Sequence, residues 1–225
     1  LTKLAMLNLM HPFQTFILGQ KIFATKISIK YKIPLVFFGE NEAEHGNPIA
    51  DNNKSLRDNS YSTYKNFDEI HLGGVQIKSL IDDHGLTYDN LKIFLPPEEK
   101  ELLKSNTETH YLGYYLKWIP QETYYYAVKN CKFRPRPFRT QGTYCKYTSI
   151  DDKIDDFHFY TTFIKFGIGR ATYDASQELR NNHISIEEGK KLIKKYDGEF
   201  PKRYFKEVLD YLEIKESVFL KTLDN

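Results

Sequence analysis

The pattern of apolar and polar positions gives the chain a mixed first part and a helical last part. Over residues 12–31, Phe and Ile recur at helical spacing, which predicts a helix that begins at Pro12. The apolar run from Ile33 to Phe38 has the length of a strand, and Gly39 ends it. Such an unbroken run indicates a strand buried on both faces. A helix, a buried strand and a polar loop predict an α/β domain with part of a doubly wound parallel sheet.

Weaker patterns fill the region up to residue 149. Residues 40–70 are rich in Asn, Asp and Ser and predict a long loop with little regular structure. Residues 132–149 contain Pro135 and Pro137 and are predicted to be irregular. Between these two segments, apolar spacing predicts short helices over 74–83, 97–104 and 120–130 and a strand within 109–119.

From residue 151 onwards the pattern is helical. It predicts five helices, over residues 151–166, 170–181, 186–197, 201–212 and 215–222. Ser185 and Glu188 form a capping box ahead of the third of these helices, and Gly198 follows its basic end. The chain therefore divides into an α/β domain over residues 1–130 and a helical subdomain over residues 131–225.

The charges of the chain are balanced, with 32 Lys and Arg against 30 Asp and Glu and a net charge of +2. Without a strong overall field, neither nucleic acid nor a membrane surface is predicted as a partner. No apolar run reaches the roughly 20 residues of a membrane span, and no secretory signal is visible. Cys131 and Cys145 have no metal-ligand spacing, so we predict no metal site and expect a cytoplasmic protein. Because the chain begins at Leu1, we expect a piece of a longer protein.

The first candidate site follows the predicted strand and reads Gly39-Glu40-Asn41-Glu42-Ala43-Glu44-His45-Gly46-Asn47. Ligands of open α/β sheets bind outside the carboxyl ends of the strands. The carboxylates, imidazole and amides of this stretch could hold Mg²⁺, ribose or a sugar. A solvated acidic loop would have the same composition.

A second candidate is Lys165-Phe166-Gly167-Ile168-Gly169-Arg170, where two glycines allow close approach of a ligand to the backbone and two cations flank them. Glycines at a corner between two helices would give the same pattern. The third candidate is the basic, aromatic stretch 132–147, which suits single-stranded nucleic acid, a nucleotide-sugar diphosphate or a charged surface loop.

Two stretches resemble a known enzyme family. FFGENEAEHGNP and the long stretch from RTQGTYCKY through FIKFGIGRATYDASQELR to KEVLDYLEI are similar to the N-acetyl sugar amidotransferases, bacterial surface-polysaccharide enzymes of the PP-loop class of ATP pyrophosphatases. Members of that family carry an N-terminal cysteine-rich segment, expected to bind Zn²⁺, and a Ser-Gly-Gly-x-Asp-Ser phosphate loop. The chain contains neither, so the resemblance implies that residues 1–130 are the later part of the nucleotide-binding domain and 131–225 a substrate-side subdomain.

The resemblance implies a reaction that converts a sugar acetamido group into an acetamidino group in lipopolysaccharide O-antigen synthesis. ATP, with Mg²⁺, would adenylate the amide oxygen and release pyrophosphate, and ammonia would then displace AMP. A glutaminase and a synthase-like subunit would supply the ammonia, and a nucleotide sugar would be the acceptor. We expect the chain alone to be inactive, and the exposed edge of a half sheet would favour a homodimer.

The same resemblance suggests roles for individual residues. It places Glu40, Lys165 and Arg170 in catalysis. It places Gly39, Asn41, Glu44 and His45 beside ATP, and Arg139, Thr143, Tyr144 and Lys146 at the sugar nucleotide. Cys145 is not expected to be a catalytic thiol. The alternatives are a tRNA-thiolating or other RNA-modifying PP-loop enzyme, suggested by residues 132–147, and a non-catalytic interaction module, suggested by the missing phosphate loop.

Overall fold

The computed structural model describes residues 1–39 and 54–224, and the chain forms two compact units. We call Gln14–Trp118 the α/β unit, and Leu1–Phe13 together with Ile119–Asn225 the helical unit. The predicted site residues Glu40, Asn41, Glu44 and His45 lie outside the described residues.

The secondary structure of the described residues is mainly helical. The helices are α1 (Thr2–Leu9), α2 (Gln14–Tyr31), α3 (Ile77–Asp82), α4 (Tyr88–Leu91), α5 (Glu99–Ser105), α6 (Pro120–Cys131), α7 (Asp155–Phe166), α8 (Arg170–Arg180), α9 (Ile186–Tyr196), α10 (Phe205–Leu212) and α11 (Glu216–Leu223). The strands are β1 (Leu35–Phe38), β2 (His71–Leu72), β3 (Val75–Gln76) and β4 (Glu108–Tyr111).

The α/β unit contains a parallel pair of strands, β1 and β4, with Leu35 opposite Glu108 and Phe37 opposite His110. The segment around Leu56 pairs with the other edge of β4, where the amide of Tyr111 donates to the carbonyl of Ser55 at 2.8 Å. The parallel pairing confirms that the first unit mixes helices with a parallel sheet. The described residues contain two parallel strands, so the doubly wound arrangement stays a prediction.

The burial of β1 differs from the prediction. Leu35 is 45% exposed and Phe37 is 50% exposed, so this strand is not buried on both faces in the described structure. Exposure alternates along β1 because successive side chains point to opposite faces of a strand. Helix α2 contacts β1, and on the face that carries Leu35 and Phe37 the ring of Tyr115 contacts Phe37, yet both side chains remain about half exposed.

The helical unit has one aromatic and aliphatic core. Helix α10 supplies Val208, Leu209 and Leu212 on one face, at the spacing of a helix. Phe157 of α7 and Phe219 of α11 are fully buried against them, and their rings meet edge to face with centroids 5.6 Å apart. Burial of each such side chain contributes about 1.5–3 kcal/mol to folding, so this core holds α7, α10 and α11 together.

Local signals at the helix ends are confirmed. The side chain of Ser185 accepts from the amide of Glu188, and the Glu188 carboxylate accepts from the amide of Ser185 at 2.8 Å, which forms the predicted capping box. Gly198 has a φ of 74°, and a Cβ there would lie 2.5 Å from the ring of Phe163. Both the backbone and the packing therefore require glycine at this position. None of the helices in the described ranges is long and apolar enough to cross a membrane.

Candidate functional site

A compact turn over residues 139–148 forms the centre of the candidate site. The amide of Thr140 donates to the carbonyl of Cys145 at 2.9 Å, and the Thr140 hydroxyl donates to the carbonyl of Thr148 at 2.6 Å. Thr140 and Thr143 are fully buried, and Gly142 has a φ of 83°. These contacts fold residues 140–148 inward, so a freely solvated charged loop does not describe this segment.

Arg139 fixes this turn to the segment that follows α9. Its guanidinium donates two hydrogen bonds to the Glu199 carboxylate, at 2.6 and 2.7 Å, and lies 4.7 Å from the centre of the Tyr196 ring. The amide of Gly142 donates to the same carboxylate at 2.9 Å. Burial alone would raise the pKa of Glu199, but the hydrogen bonds from Arg139 and Gly142 hold that pKa below its ordinary value. Arg139 therefore shapes the turn through a two-pronged ion pair.

Arg170 is joined to the turn through Asp174. The Thr143 hydroxyl donates to one oxygen of the buried Asp174 carboxylate. The Nε of Arg170 donates to the other oxygen at 2.9 Å. Arg170 and Thr143 therefore contact the two oxygens of one carboxylate, while their predicted roles, Arg170 in catalysis and Thr143 at the sugar nucleotide, stay predictions. Within the described residues the terminal nitrogens of Arg170 have no hydrogen bond, so they can still receive an anion.

The glycine segment 167–169 is a corner between α7 and α8. Gly167, with a φ of 69°, directly follows α7, and Gly169 directly precedes α8 as its N-cap residue. The Asp197 carboxylate accepts from the amides of Gly169 and Thr172, at 3.1 and 3.2 Å, and also from the Thr172 hydroxyl. A side chain of the protein thus occupies the place that an anion would take at a helix N-terminus.

Lys165 and Lys146 are both solvent-exposed. The Lys165 ammonium donates to the carbonyl of Leu9 at 2.9 Å and lies 5.1 Å from the centre of the Phe166 ring. Lys165 therefore contacts the C-terminal end of α1, and no contact between Lys165 and Arg170 is seen among the described residues. Gly39, the remaining predicted residue in the described part, directly follows β1 in the α/β unit.

Tyr144 and Cys145 line the inner side of the turn. Burial raises the pKa of the Tyr144 phenol, and its buried hydroxyl has no hydrogen-bond partner among the described residues. Burial raises the pKa of the Cys145 thiol to about 12. At neutral pH this cysteine is a protonated thiol, which disfavours a role as a nucleophile.

An aromatic platform accompanies the turn. The rings of Tyr124 and Tyr147 are stacked, with centroids 4.4 Å apart and planes 17° from parallel. Phe133 contacts Tyr124 edge to face at 6.1 Å. Stacked rings of this kind offer a flat apolar surface with polar tips, which suits the ring of a sugar or a nucleobase.

Residues 141–225 match a family described as LPS biosynthesis protein WbpG-like, C-terminal domain. This part of the chain is similar to WbpG-like C-terminal domains. The similarity links the helical unit to LPS biosynthesis and fits the predicted N-acetyl sugar amidotransferase family. No curated protein matches the chain. The WbpG-like segment begins at Gln141 and includes Thr143, Arg170 and Asp174, so the constellation around Asp174 lies inside the matched region.

Sequence reasoning missed three acidic residues of the WbpG-like segment. Asp174 stands four residues after Arg170 on a helix, and this spacing could have predicted the ion pair. Glu199 and Asp197 gave no such signal, because their partners are distant in the sequence. No local pattern predicts a contact between a loop carboxylate and a helix that begins almost 30 residues earlier.

A further buried carboxylate lies beside the turn. Asp156 is 1% exposed, and neither of its oxygens has a hydrogen-bond partner among the described residues. Burial raises its pKa to about 6, although Arg136 and Arg203 act in the opposite direction.

The described residues contain no group of side chains with the arrangement of a metal site. Across residues 1–39 and 54–224, no three His, Cys, Asp or Glu side chains are grouped so that they could hold a metal ion. ATP and Mg²⁺ therefore remain expectations from the resemblance, and the residues predicted to lie beside them fall mostly outside the described ranges.

Proposed function

We propose that the chain is the substrate-side portion of an ATP-dependent amidotransferase that converts the acetamido group of a sugar nucleotide into an acetamidino group for LPS biosynthesis. The observation that carries this proposal is the WbpG-like match over residues 141–225, which contains the Thr143–Asp174–Arg170 constellation. The resemblance of the two stretches described above to the N-acetyl sugar amidotransferases supports the finer assignment.

The proposed reaction has two steps. The amide oxygen attacks the α-phosphorus of ATP, pyrophosphate leaves, and the carbon becomes an activated imidate. Ammonia then adds to this carbon and loses a proton, and AMP leaves with the former amide oxygen. Adenylation is needed because oxygen leaves an amide very poorly, whereas AMP is a good leaving group. Mg²⁺, when bound, would neutralise the phosphates. A glutaminase and a synthase-like subunit would provide the ammonia.

Within the described residues, Arg170 is the best candidate to contact a phosphate or the developing negative charge. Asp174 holds its Nε edge, so the other edge of the guanidinium is oriented before a ligand arrives. Thr143 supports Asp174 from the turn, and Arg139 supports the turn itself. In this assignment Thr143 and Arg139 position the site, and Arg170 makes the contact with the substrate.

The Tyr124–Tyr147 platform and the exposed Lys146 complete the proposed sugar-nucleotide surface. The platform would receive the nucleobase or the sugar ring of the nucleotide sugar, and Lys146 would bind a phosphate. Lys165 stays in the proposed catalytic group, and its ammonium, which contacts the carbonyl of Leu9, would have to turn towards the substrate. Glu40, Asn41, Glu44 and His45, with Gly39, form the proposed ATP side.

Product analysis tests the proposal. The protein encoded by the complete reading frame, supplied with ATP, Mg²⁺, ammonia and UDP-N-acetyl sugars, is expected to form AMP and pyrophosphate only when the sugar carries an acetamido group. UDP-glucose is the control substrate. Formation of ADP and phosphate would refute the proposal. AMP formation at the same rate with UDP-glucose as with the UDP-N-acetyl sugars would also refute it.

A binding comparison tests the role of Arg170. In calorimetry with UDP-N-acetylglucosamine, Arg170→Lys is expected to weaken binding about 10-fold or more, because lysine lacks the fork that holds both Asp174 and an anion. Arg180→Lys, at the exposed C-terminal end of the same helix, is the matched control and is expected to bind like the unmodified chain. Equal affinities for the unmodified chain, Arg170→Lys and Arg180→Lys would show that Arg170 does not contact the nucleotide sugar.

A further inference from the structure

A second chemically organised cluster lies in the α/β unit, apart from the residues of the proposed function. Glu108 and His110 are two residues apart on β4, so their side chains point to the same face of the strand. Tyr115 follows β4 after the short helical turn Leu112–Tyr114. The Glu108 carboxylate is 3.0 Å from Nε2 of His110, and the Tyr115 hydroxyl is 2.7 Å from Nδ1 of the same ring. One imidazole therefore connects a carboxylate to a phenol.

The hydrogen bonds fix the direction of the donors. A carboxylate only accepts, so Nε2 of His110 carries the proton in its bond to Glu108. In the neutral imidazole Nδ1 is then an acceptor, and the Tyr115 hydroxyl donates to it. This is the arrangement of an activated nucleophile, with a hydroxyl beside a base that a third group orients.

The phenol is accessible while its base is shielded. Tyr115 is 53% exposed, whereas the side chain of His110 is only 16% exposed. Phe37 lies on the same face and contacts Tyr115 edge to face, with centroids 5.9 Å apart. The packing thus holds the imidazole in place, while about half of the Tyr115 residue remains open to solvent.

The surroundings favour an uncharged, apolar substrate. Leu35, Phe37 and Leu56, which we call the apolar flank, are large exposed side chains on the strands that border Glu108 and His110. Among the described residues, no Lys or Arg forms an ion pair or a hydrogen bond with Glu108, His110 or Tyr115. Within the described residues, no cation paired with this cluster would receive a phosphoryl group, whereas the chain of an acyl ester would find apolar surface.

We propose that Glu108, His110 and Tyr115 form an acyl-transfer site in which Tyr115 is the nucleophile and an activated ester with an apolar acyl chain is the substrate class. This inference does not rest on the amidotransferase proposal and involves none of its residues.

The proposed reaction forms an acyl–tyrosine ester and then hydrolyses it. The Tyr115 oxygen attacks the ester carbonyl carbon, and its proton passes to Nδ1 of His110, whose positive charge Glu108 stabilises. The bond between the carbonyl carbon and the ester's alcohol or phenol oxygen then breaks, the leaving oxygen takes the proton from Nδ1 of His110, and an acyl–tyrosine ester remains. Water then attacks this ester with His110 as the base, the carboxylic acid is released and Tyr115 regains its proton.

Tyr114 provides a matched control within the same chain. It is 57% exposed, close to the value for Tyr115, and its hydroxyl has no hydrogen bond in the described part of the protein. In the test, the 225-residue chain is treated with 4-nitrophenyl acetate or 4-nitrophenyl butanoate, and acylation of each tyrosine is followed by peptide mass spectrometry. Tyr115 is expected to react about 100-fold faster than Tyr114, because a positioned general base contributes about 10²–10⁴-fold.

Variants of His110 and Glu108 test whether Tyr115 reacts because its hydroxyl is activated or only because it is exposed. His110→Ala is expected to lower the rate at Tyr115 to that of Tyr114, and Glu108→Gln to lower it about 10-fold. Glu108 is exposed, so its variant tests the relay even if His110→Ala fails to fold. Leu35→Ser is expected to reduce the preference for butanoate over acetate, which we expect to be about 15-fold because each of the two additional CH₂ groups contributes roughly fourfold when it is buried. Equal rates at Tyr114 and Tyr115, or a Tyr115 rate that Glu108→Gln leaves unchanged, would overturn the proposal.

Discussion

The buried carboxylate of Asp156 makes a quantitative prediction about stability. Both of its oxygens lack a hydrogen-bond partner in the described structure, and burial raises its pKa from 3.8 to about 6. A shift of roughly two units, at 1.36 kcal/mol per unit, corresponds to about 3 kcal/mol that the ionised form costs the folded state. Water penetration and the nearby Arg136 and Arg203 reduce the measurable effect, so we expect about 1–2 kcal/mol.

The sign of the pH dependence follows from the raised pKa. Below pH 3.8 Asp156 is protonated in both the folded and the unfolded state, and its contribution is fully present. Between pH 3.8 and about 6 the unfolded chain loses this proton first, so the free energy of unfolding falls as the pH rises. Above about pH 6 the folded state carries the uncompensated charge, and the contribution has been lost.

Asp156→Asn removes the charge and keeps the shape of the side chain. Relative to the unmodified chain, we expect the variant to gain about 1–2 kcal/mol at neutral pH, with the gain disappearing as the pH falls below about 4. Urea unfolding followed by far-ultraviolet circular dichroism across this range measures the difference. Asp210→Asn, an exposed carboxylate of α10, is the control and should change stability by less than about 0.5 kcal/mol. A loss of stability in Asp156→Asn that is the same at every pH would refute the reasoning.

Three further predictions concern the WbpG-like segment and its surroundings. At neutral pH iodoacetamide is expected to modify the exposed Cys131 and to leave Cys145 intact, because burial raises the pKa of Cys145 to about 12; comparable labelling in peptide mass spectrometry would contradict this. Gly169→Ala is expected to cost about 1–3 kcal/mol, because its Cβ would lie 2.5 Å from the Asp197 carboxylate that caps α8; an unchanged urea midpoint would show that Asp197 can move aside. Ser185→Ala should cost about 1 kcal/mol through loss of the capping box, and a change below about 0.3 kcal/mol in the same assay would speak against it.

Local sequence signals predicted much of the helical structure. The helices over 12–31, 120–130 and from 151 onwards are confirmed as α2, α6 and α7 to α11, with ends shifted by up to four residues. Apolar spacing and capping residues act within a few positions, so a single sequence contains them. Helix α1 was missed because its buried residues, Ala5 and Met6, are adjacent and give no periodic pattern.

Burial and site geometry depend on partners that are distant in the sequence. The apolar run of β1 predicted a strand buried on both faces, yet burial depends on what packs against it, and Leu35 and Phe37 remain exposed. In the same way, the glycines at 167 and 169 were compatible with a ligand loop, and it is Asp197 that makes them a helix corner. Residue types in the sequence indicate which segments could bind a ligand or react. The role of each residue depends on contacts with segments that are distant in the sequence.

The oxygen atom of the acetamido group provides the most direct test of the proposed function. The protein from the complete reading frame would be given a UDP-N-acetyl sugar labelled with ¹⁸O in the amide carbonyl, together with ATP, Mg²⁺ and ammonia. Because adenylation joins this oxygen to the α-phosphorus, the account predicts that the label appears in AMP and that the sugar gains an amidine nitrogen. Unlabelled AMP, or label that stays in the sugar or appears in inorganic phosphate, would contradict it.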